Sequence, residues 1–350
     1  MQKIIDKVRA GERLSQTEGE ELLQQGSLFE LGMLANEIRW QKHPEPLVTY
    51  VVDRNINYTD VCVSACKFCA FFKAPEDREG SVISFAELGQ KIEETQSLGG
   101  NQILLQGGLH PDLDFSFYEE MLRFMKGYGV HIHGFSPPEI CHFAEISGFS
   151  IARVIEKLRA AGLDSIPGGG AEILSDRVRN ETAPRKCSSN NWLAVMGEAH
   201  NQGLRTTATM MFGHLETIAE RVEHLERLRE LQDKTKGFTA FIPWPFQPDN
   251  SVLDHLPKTT PHEYLKMLAL SRIYLDNFDN IQASWVTQGA KVAQTSLFFG
   301  ANDFGSTMIE ENVVAAAGVS FRLSEEEIRR LVEGVGLAPK QRRMDYTLVE

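Results

Sequence analysis

A chain of 350 residues with 42% hydrophobic and 24% charged side chains carries enough apolar material for one large buried core. Its 36 Lys and Arg stand against 48 Asp and Glu, and a formal charge of −12 excludes broad electrostatic attraction to nucleic acid or to an anionic membrane. There is no N-terminal apolar stretch of the signal-peptide kind and no long uncharged run, so a cytoplasmic protein without a membrane partner is expected.

Residues 1–47 are polar and helical in pattern, an extension expected to pack outside the main fold. From there, short β-rich runs alternate with amphipathic stretches. Strands are expected near Arg54–Thr59, Gln102–Gln106, His131–Ser136, Asp164–Pro167, Thr206–Met211, Phe238–Pro243, Gln282–Val286 and Thr295–Phe299. Helices are expected at Ser84–Ser97, Ser116–Tyr128, Ile151–Ala161, Trp192–Gln202, Ile218–Gln232 and Pro261–Leu275. Eight strands, each followed by a helix or long loop, predict an α/β fold, a (β/α)8 barrel over residues 48–323. A tail, 324–350, with one helix at Glu325–Gly334, is expected to pack on it. The rival, a doubly wound sheet, wants a Gly-rich turn after its first strand, where this chain has cysteines.

Unusual residues gather just after the expected strands, at Cys62–Cys69, Gly107-Gly108, Pro137–Glu139, Gly168–Glu172, Gly213–Glu216, Trp244–Pro248 and Gly300–Ser306. Barrel enzymes build their active sites from these loops. Turn chemistry explains the glycines, but not the cysteines or the carboxylates Glu139, Glu172 and Glu216.

Cys62, Cys66 and Cys69 have the spacing C-x3-C-x2-C. A [4Fe–4S] cluster usually takes four cysteines, so three would leave one iron open to a ligand. Structural zinc is the rival, with Cys141 or Cys187 as a fourth ligand. Phe68 before the last cysteine, and the position after a first barrel strand, favour the cluster.

With that aromatic residue and that position, the loop resembles the radical S-adenosylmethionine (SAM) enzymes. The resemblance implies a [4Fe–4S] cluster on Cys62, Cys66 and Cys69, with SAM chelating the open iron. One electron then splits SAM into methionine and a 5′-deoxyadenosyl radical that takes a substrate hydrogen. It also implies SAM contacts at Phe68, Gly107 and Gly108, whose paired glycines permit close backbone approach. Leu109 stands where the family carries an acid. Ser136, Glu139 and Glu172 are further candidates, as are Gly213 and Glu216 in the stretch Thr209–Glu216, which resembles the family's adenine-contact segment.

Longer phrases resemble the branch acting on menaquinone and deazaflavin precursors: Leu105–Pro111, His133–Ile140, Pro167–Ile173 and Gly300–Asp303. Phe241–Pro248, Ser284–Gly289 and Asn302–Thr307 are most similar to its futalosine-pathway cyclases. The implied substrate is dehypoxanthine futalosine, closed onto its own aromatic ring after loss of the ribose C4′ hydrogen. The implied reductant is a flavodoxin or ferredoxin. The chemistry also needs a base, and Tyr58, His110, His133, His214, Trp244, Gln247, Lys291 and Asp303 are candidates for substrate contact or catalysis. Aminofutalosine synthases and the deazaflavin-forming synthases share much of the remaining pattern.

Overall fold

The computed structural model describes residues 1–349. Three helices, Gln2–Arg9, Gln16–Gln25 and Leu28–Lys42, precede the first strand, and the latter two pack on the helices Ile218–Thr235 and Pro261–Tyr274. β1 (Leu47–Val51) and β2 (Asp53–Asn57) follow directly, as one extended run interrupted at Val52. β3 (Gln102–Gln106), β4 (His131–Gly134), β5 (Ser165–Ile166), β6 (Arg205–Phe212), β7 (Phe238–Pro245) and β8 (Asn280–Ile281) add in sequence order, so that β2 to β8 form a seven-stranded parallel sheet. β9 (Asp303–Ser306) and β10 (Ala338–Gln341) flank β1 in a second parallel sheet. A parallel bridge between Gln282 and Asp303 joins the far edge of the first sheet to β9. Beyond β9, Thr307 N donates to Val51 O and Ile309 N to Asp53 O, which carries the strand circuit round to β2. The result is the α/β barrel expected, with helices outside.

Strand alternation decides what faces the barrel axis. In β3, Ile103 and Leu105 pack outward in the core, while Gln102, Leu104 and Gln106 line interior cavities. In β2, Asp53, Asn55 and Asn57 face inward, and Arg54 reaches out to Lys91 O and Glu94 on the helix Phe85–Ser97. Outer helices are amphipathic and capped: Ile151–Ala161 starts at Ser150 and buries Val154, Ile155, Leu158 and Ala161. Among the described residues, no helix is long and apolar enough to cross a membrane.

Two strand expectations are corrected. Residues 282–286 run into a one-turn helix, Trp285–Gln288, and the strand ends at Ile281. Thr295–Phe299 is the end of a helix, Ala290–Ser296, and the turn after it, despite its β-forming composition. Thr295 Oγ1 and Ser296 Oγ bond back to Lys291 O and Ala293 O and close that helical turn. The barrel position falls instead to β9, which tertiary partners hold: Asp303 accepts from Thr49 Oγ1 at 2.5 Å and pairs with Arg342. Pro137–Glu139, expected as loop, opens a helix, Pro137–Ser147. Ser136 is its N-cap, proline takes the first position, and Glu139 completes a capping box.

Candidate active site

The cysteine loop follows β2 and is pinned by backbone bonds to separate segments: Cys62 N to Lys73 O, Val63 N to Leu109 O, Lys67 N to Thr182 O, and Val252 N to Lys67 O. Ala65, at φ +46°, lets the chain turn within it. Cys62, Cys66 and Cys69 line one cavity of roughly 250 Å³ together with Phe68, Gly107 and Gly108. Cys66 is buried and the other two are half-buried, and burial pushes the Cys66 and Cys69 thiols up. No three His, Cys, Asp or Glu side chains among the described residues converge tightly enough to hold a single metal ion. Three thiols that line one cavity without converging on a single point suit a cubic cluster, in which each binds a different iron. Cys141 and Cys187 do not line the cavity, and Cys187 Sγ accepts from Arg179 Nη2 at 3.8 Å.

The Gly-Gly pair lies beside this loop. A Cβ on Gly108 would stand 2.1 Å from Val61 O and 3.0 Å from Cys62 Cβ, and one on Gly107 would meet the Tyr58 ring at 2.6 Å. Close approach is thus needed first by the protein itself, between β3 and the cysteine loop. Gly108→Ala is therefore expected to displace Val61–Cys62 and to lower iron per chain after anaerobic reconstitution. Wild-type iron content in this variant would show that the loop does not depend on that contact.

Glu139 ties three strands together under the cavity. Its Oε1 accepts from Tyr58 OH at 2.8 Å and Gly107 N at 3.1 Å, and its Oε2 from Ser136 N at 2.7 Å and Ser136 Oγ at 2.5 Å. Burial, partly offset by those donors, raises its pKa to about 6. Ser136 and Glu139 line the cavity, whereas Tyr58 lies fully buried behind it. Glu172, at φ +41° after three glycines, also lines it and accepts from Lys186 Nζ at 2.5 Å. Burial pushes the Glu172 carboxyl up, but Lys186 more than offsets this and holds it below its usual value. Lys186 Nζ also stands 5.0 Å over the Phe68 ring. Nothing in the local pattern marks Lys186, because Arg185-Lys186 reads as an ordinary basic surface step.

A second cavity, roughly 270 Å³, occupies the barrel interior next to the first, and Gln106, Gly169, Trp244, Val313 and Val314 line both. His133 faces it from β4, with Nδ1 on Ser165 Oγ at 2.7 Å, and burial holds this imidazole well below its ordinary pKa. Gln247 lines only the first cavity. Glu311, which sequence reasoning missed, lines the second.

The other candidates lie outside both cavities. Gly213 has φ +91°, and its missing Cβ makes room for Thr259. Glu216 accepts from Gly213 N at 2.6 Å, His214 N at 3.0 Å and Arg221 Nε at 2.8 Å, which closes the turn after β6. His214 Nε2 bonds to Met211 O. His110 accepts from Asp112 N within its own loop, and Lys291 is exposed. Asp303 is fully enclosed by Thr49, Gly305 N and Arg342.

Three cavity-lining thiols thus follow β2 of a parallel barrel, with a second chamber beside them in the barrel interior. Residues 56–228 match the radical SAM superfamily, and residues 235–350 match the CofH/MqnC C-terminal region. The chain is 43% identical to cyclic dehypoxanthine futalosine synthase of Halalkalibacterium halodurans over 99% of its length and 94% of the relative's. It is 44% identical to the protein of the same name from Streptomyces coelicolor, over 99% and 88%. A Methanosarcina barkeri protein, 5-amino-6-(D-ribitylamino)uracil–L-tyrosine 4-hydroxyphenyl transferase 1, is 42% identical over 91% and 86%. Methylornithine synthase shares the fold at a TM-score of 0.76 and 18% identity, over 96% of this chain and 97% of its own. The chain belongs to the radical SAM superfamily, in the branch that carries the CofH/MqnC C-terminal region. Membership implies a [4Fe–4S] cluster and SAM as cofactors.

Proposed function

We propose that this protein converts dehypoxanthine futalosine to cyclic dehypoxanthine futalosine, a step toward menaquinone, in the cytoplasm. The observation that carries this reading is the 43–44% identity to two synthases of that name across 99% of the chain. Cys62, Cys66 and Cys69 would hold the cluster, and the fit is supported by their lining one cavity and by the absence of a fourth cysteine from that lining. Phe68, Met211 and Phe246 offer an apolar surface for the adenosine of SAM, and the Lys186–Glu172 pair offers charge for its polar groups. When bound, cluster and SAM supply the 5′-deoxyadenosyl radical, given one electron from a flavodoxin- or ferredoxin-type donor.

The second chamber is the substrate site in this reading, and Trp244 lies between it and the cofactor chamber. The ribose C4′ hydrogen would pass to the 5′-deoxyadenosyl radical, the C4′ radical would add to the aromatic ring, and loss of one proton to a base and of one electron to the oxidised iron–sulfur cluster would restore aromaticity. The proton needs an acceptor in this chamber. Asp53 is held by Ser306 and Gln102, with Arg342 favouring its charged form, and His133 by Ser165. Glu311 is held by Asn55 Nδ2 at 2.8 Å and Val314 N at 2.7 Å, but its charged neighbour is Glu310 rather than a cation, and it is the acceptor in this reading. Glu311 lines the chamber, and burial raises its carboxyl above the usual range, toward a better base. Glu311→Gln is expected to lower product formation by about 10²-fold or more while 5′-deoxyadenosine is still released. Wild-type product formation in this variant would assign the proton to another group.

Incubation of reduced, reconstituted protein with SAM and dehypoxanthine futalosine tests the function. The expected product is lighter than the substrate by two hydrogens, and tyrosine with 5-amino-6-(D-ribitylamino)uracil should give none. The opposite outcome would transfer the chain to the 4-hydroxyphenyl transferase activity.

A further inference from the structure

Barrel interiors are ordinarily filled with branched apolar side chains. Here the inward faces of β2 and β3 carry Asp53, Asn55, Asn57, Gln102 and Gln106. Two of these amides are held in a way that leaves one atom over. Gln102 Nε2 donates to Asp53 Oδ2 at 2.9 Å, and Asn55 Nδ2 donates to Glu311 Oε2 at 2.8 Å. A carboxylate only accepts, so each pairing fixes which end of the amide it holds. Gln102 Oε1 and Asn55 Oδ1 are then turned away, and both are buried with no hydrogen-bond partner. The residues are 2% and 3% exposed, and both line the second chamber.

A buried acceptor without a donor is costly, and an active-site cavity is where a protein tolerates one, because a ligand completes it. The missing partner must donate. An anionic group would only accept and would meet the Asp53 and Glu311 carboxylates besides, so these oxygens call for a donor, and on the cyclase reading the substrate's donors are its hydroxyls. Asp53 and Gln102 are register partners, which puts Asn55 one diagonal step from Gln102 on strands roughly 5 Å apart. On such a diagonal, roughly 7–8 Å between the residues, each oxygen can meet one of two neighbouring ring hydroxyls. We propose that Asn55 and Gln102 are specificity residues that accept hydrogen bonds from adjacent hydroxyls of the substrate's pentose. This rests on the cyclase reading above and assigns the sugar end of the substrate to the β2–β3 wall. The pentose is thereby held against the wall that continues, through Asn57 and Gln106, into the cofactor chamber.

The test compares dehypoxanthine futalosine with its 2′-deoxy and 3′-deoxy analogues in the reconstituted enzyme. Wild type should lose at least about tenfold in kcat/KM with each analogue, because a site built to bond a hydroxyl rejects the compound lacking it. Asn55→Ala should become indifferent to the loss of one hydroxyl, and Gln102→Met to the loss of the other, with iron content and SAM binding kept. A residue that merely supported the barrel would lower all three substrates alike. The proposal is overturned if wild type uses both deoxy analogues as well as the parent, a result that needs no variant. It is also overturned if both variants discriminate as wild type does. If wild type leaves dehypoxanthine futalosine itself unchanged, the cyclase reading fails and this inference falls with it.

Discussion

Alanine in place of Cys62, Cys66 or Cys69 is expected to leave the anaerobically reconstituted protein colourless, without the four irons of its cluster and without turnover. All three thiols line the cofactor cavity on a loop anchored by four separate backbone bonds, so no neighbouring ligand can take over. Cys141→Ala and Cys187→Ala are expected to keep both iron and activity, because these free thiols stand outside the cavity lining. Iron analysis and absorbance of the five single variants check this. Loss of iron on removing Cys141 or Cys187 would mean four protein ligands and no open iron for SAM.

The second large effect concerns the C-terminal tail. Arg342 follows β10 and donates to Asp303 through Nε at 2.5 Å and Nη2 at 3.1 Å, with the two side chains 3% and 0% exposed. Truncating one partner of such a pair leaves a charge buried without compensation. Arg342→Ala should therefore destabilise the fold by about 3–5 kcal/mol, read from urea unfolding. The double change Asp303→Asn, Arg342→Met should recover part of that loss, since no lone charge remains. A cost for Arg342→Ala near that of an exposed ion pair, about 1 kcal/mol or less, would mean that the pair does not fasten the tail to the barrel.

What the sequence made legible follows from how local each signal is. The cysteine spacing, the alternation of strands and helices, and the placing of Cys62–Cys69, Gly107-Gly108 and Trp244 near one another depend on short-range pattern and barrel geometry. β9 was not legible, because Asp303-Phe-Gly-Ser306 contains poor strand formers held by Thr49 and Arg342, both far away in sequence. The Thr295–Phe299 run has strand composition, yet its side chains close helical turns. Ser136 and Glu139 were legible as polar residues at a strand end, but their serine-to-glutamate spacing was also a capping signal. Glu216 reads like a ligand in sequence, whereas its oxygens are spent on Gly213, His214 and Arg221. Lys186, Glu311, Asn55 and Gln102 could not be found from pattern alone, because only the closed barrel turns them toward the two chambers.

The central claim, that this chain abstracts a ribose hydrogen to close a ring, is tested most directly by isotope. Dehypoxanthine futalosine carrying deuterium at C4′ is incubated with reduced enzyme and SAM, and the released 5′-deoxyadenosine is examined by mass. One deuterium is expected in the 5′-deoxyadenosine, together with a cyclised product that has lost it. Unlabelled 5′-deoxyadenosine alongside cyclised product, or a product that retains the adenosyl carbons, would contradict it.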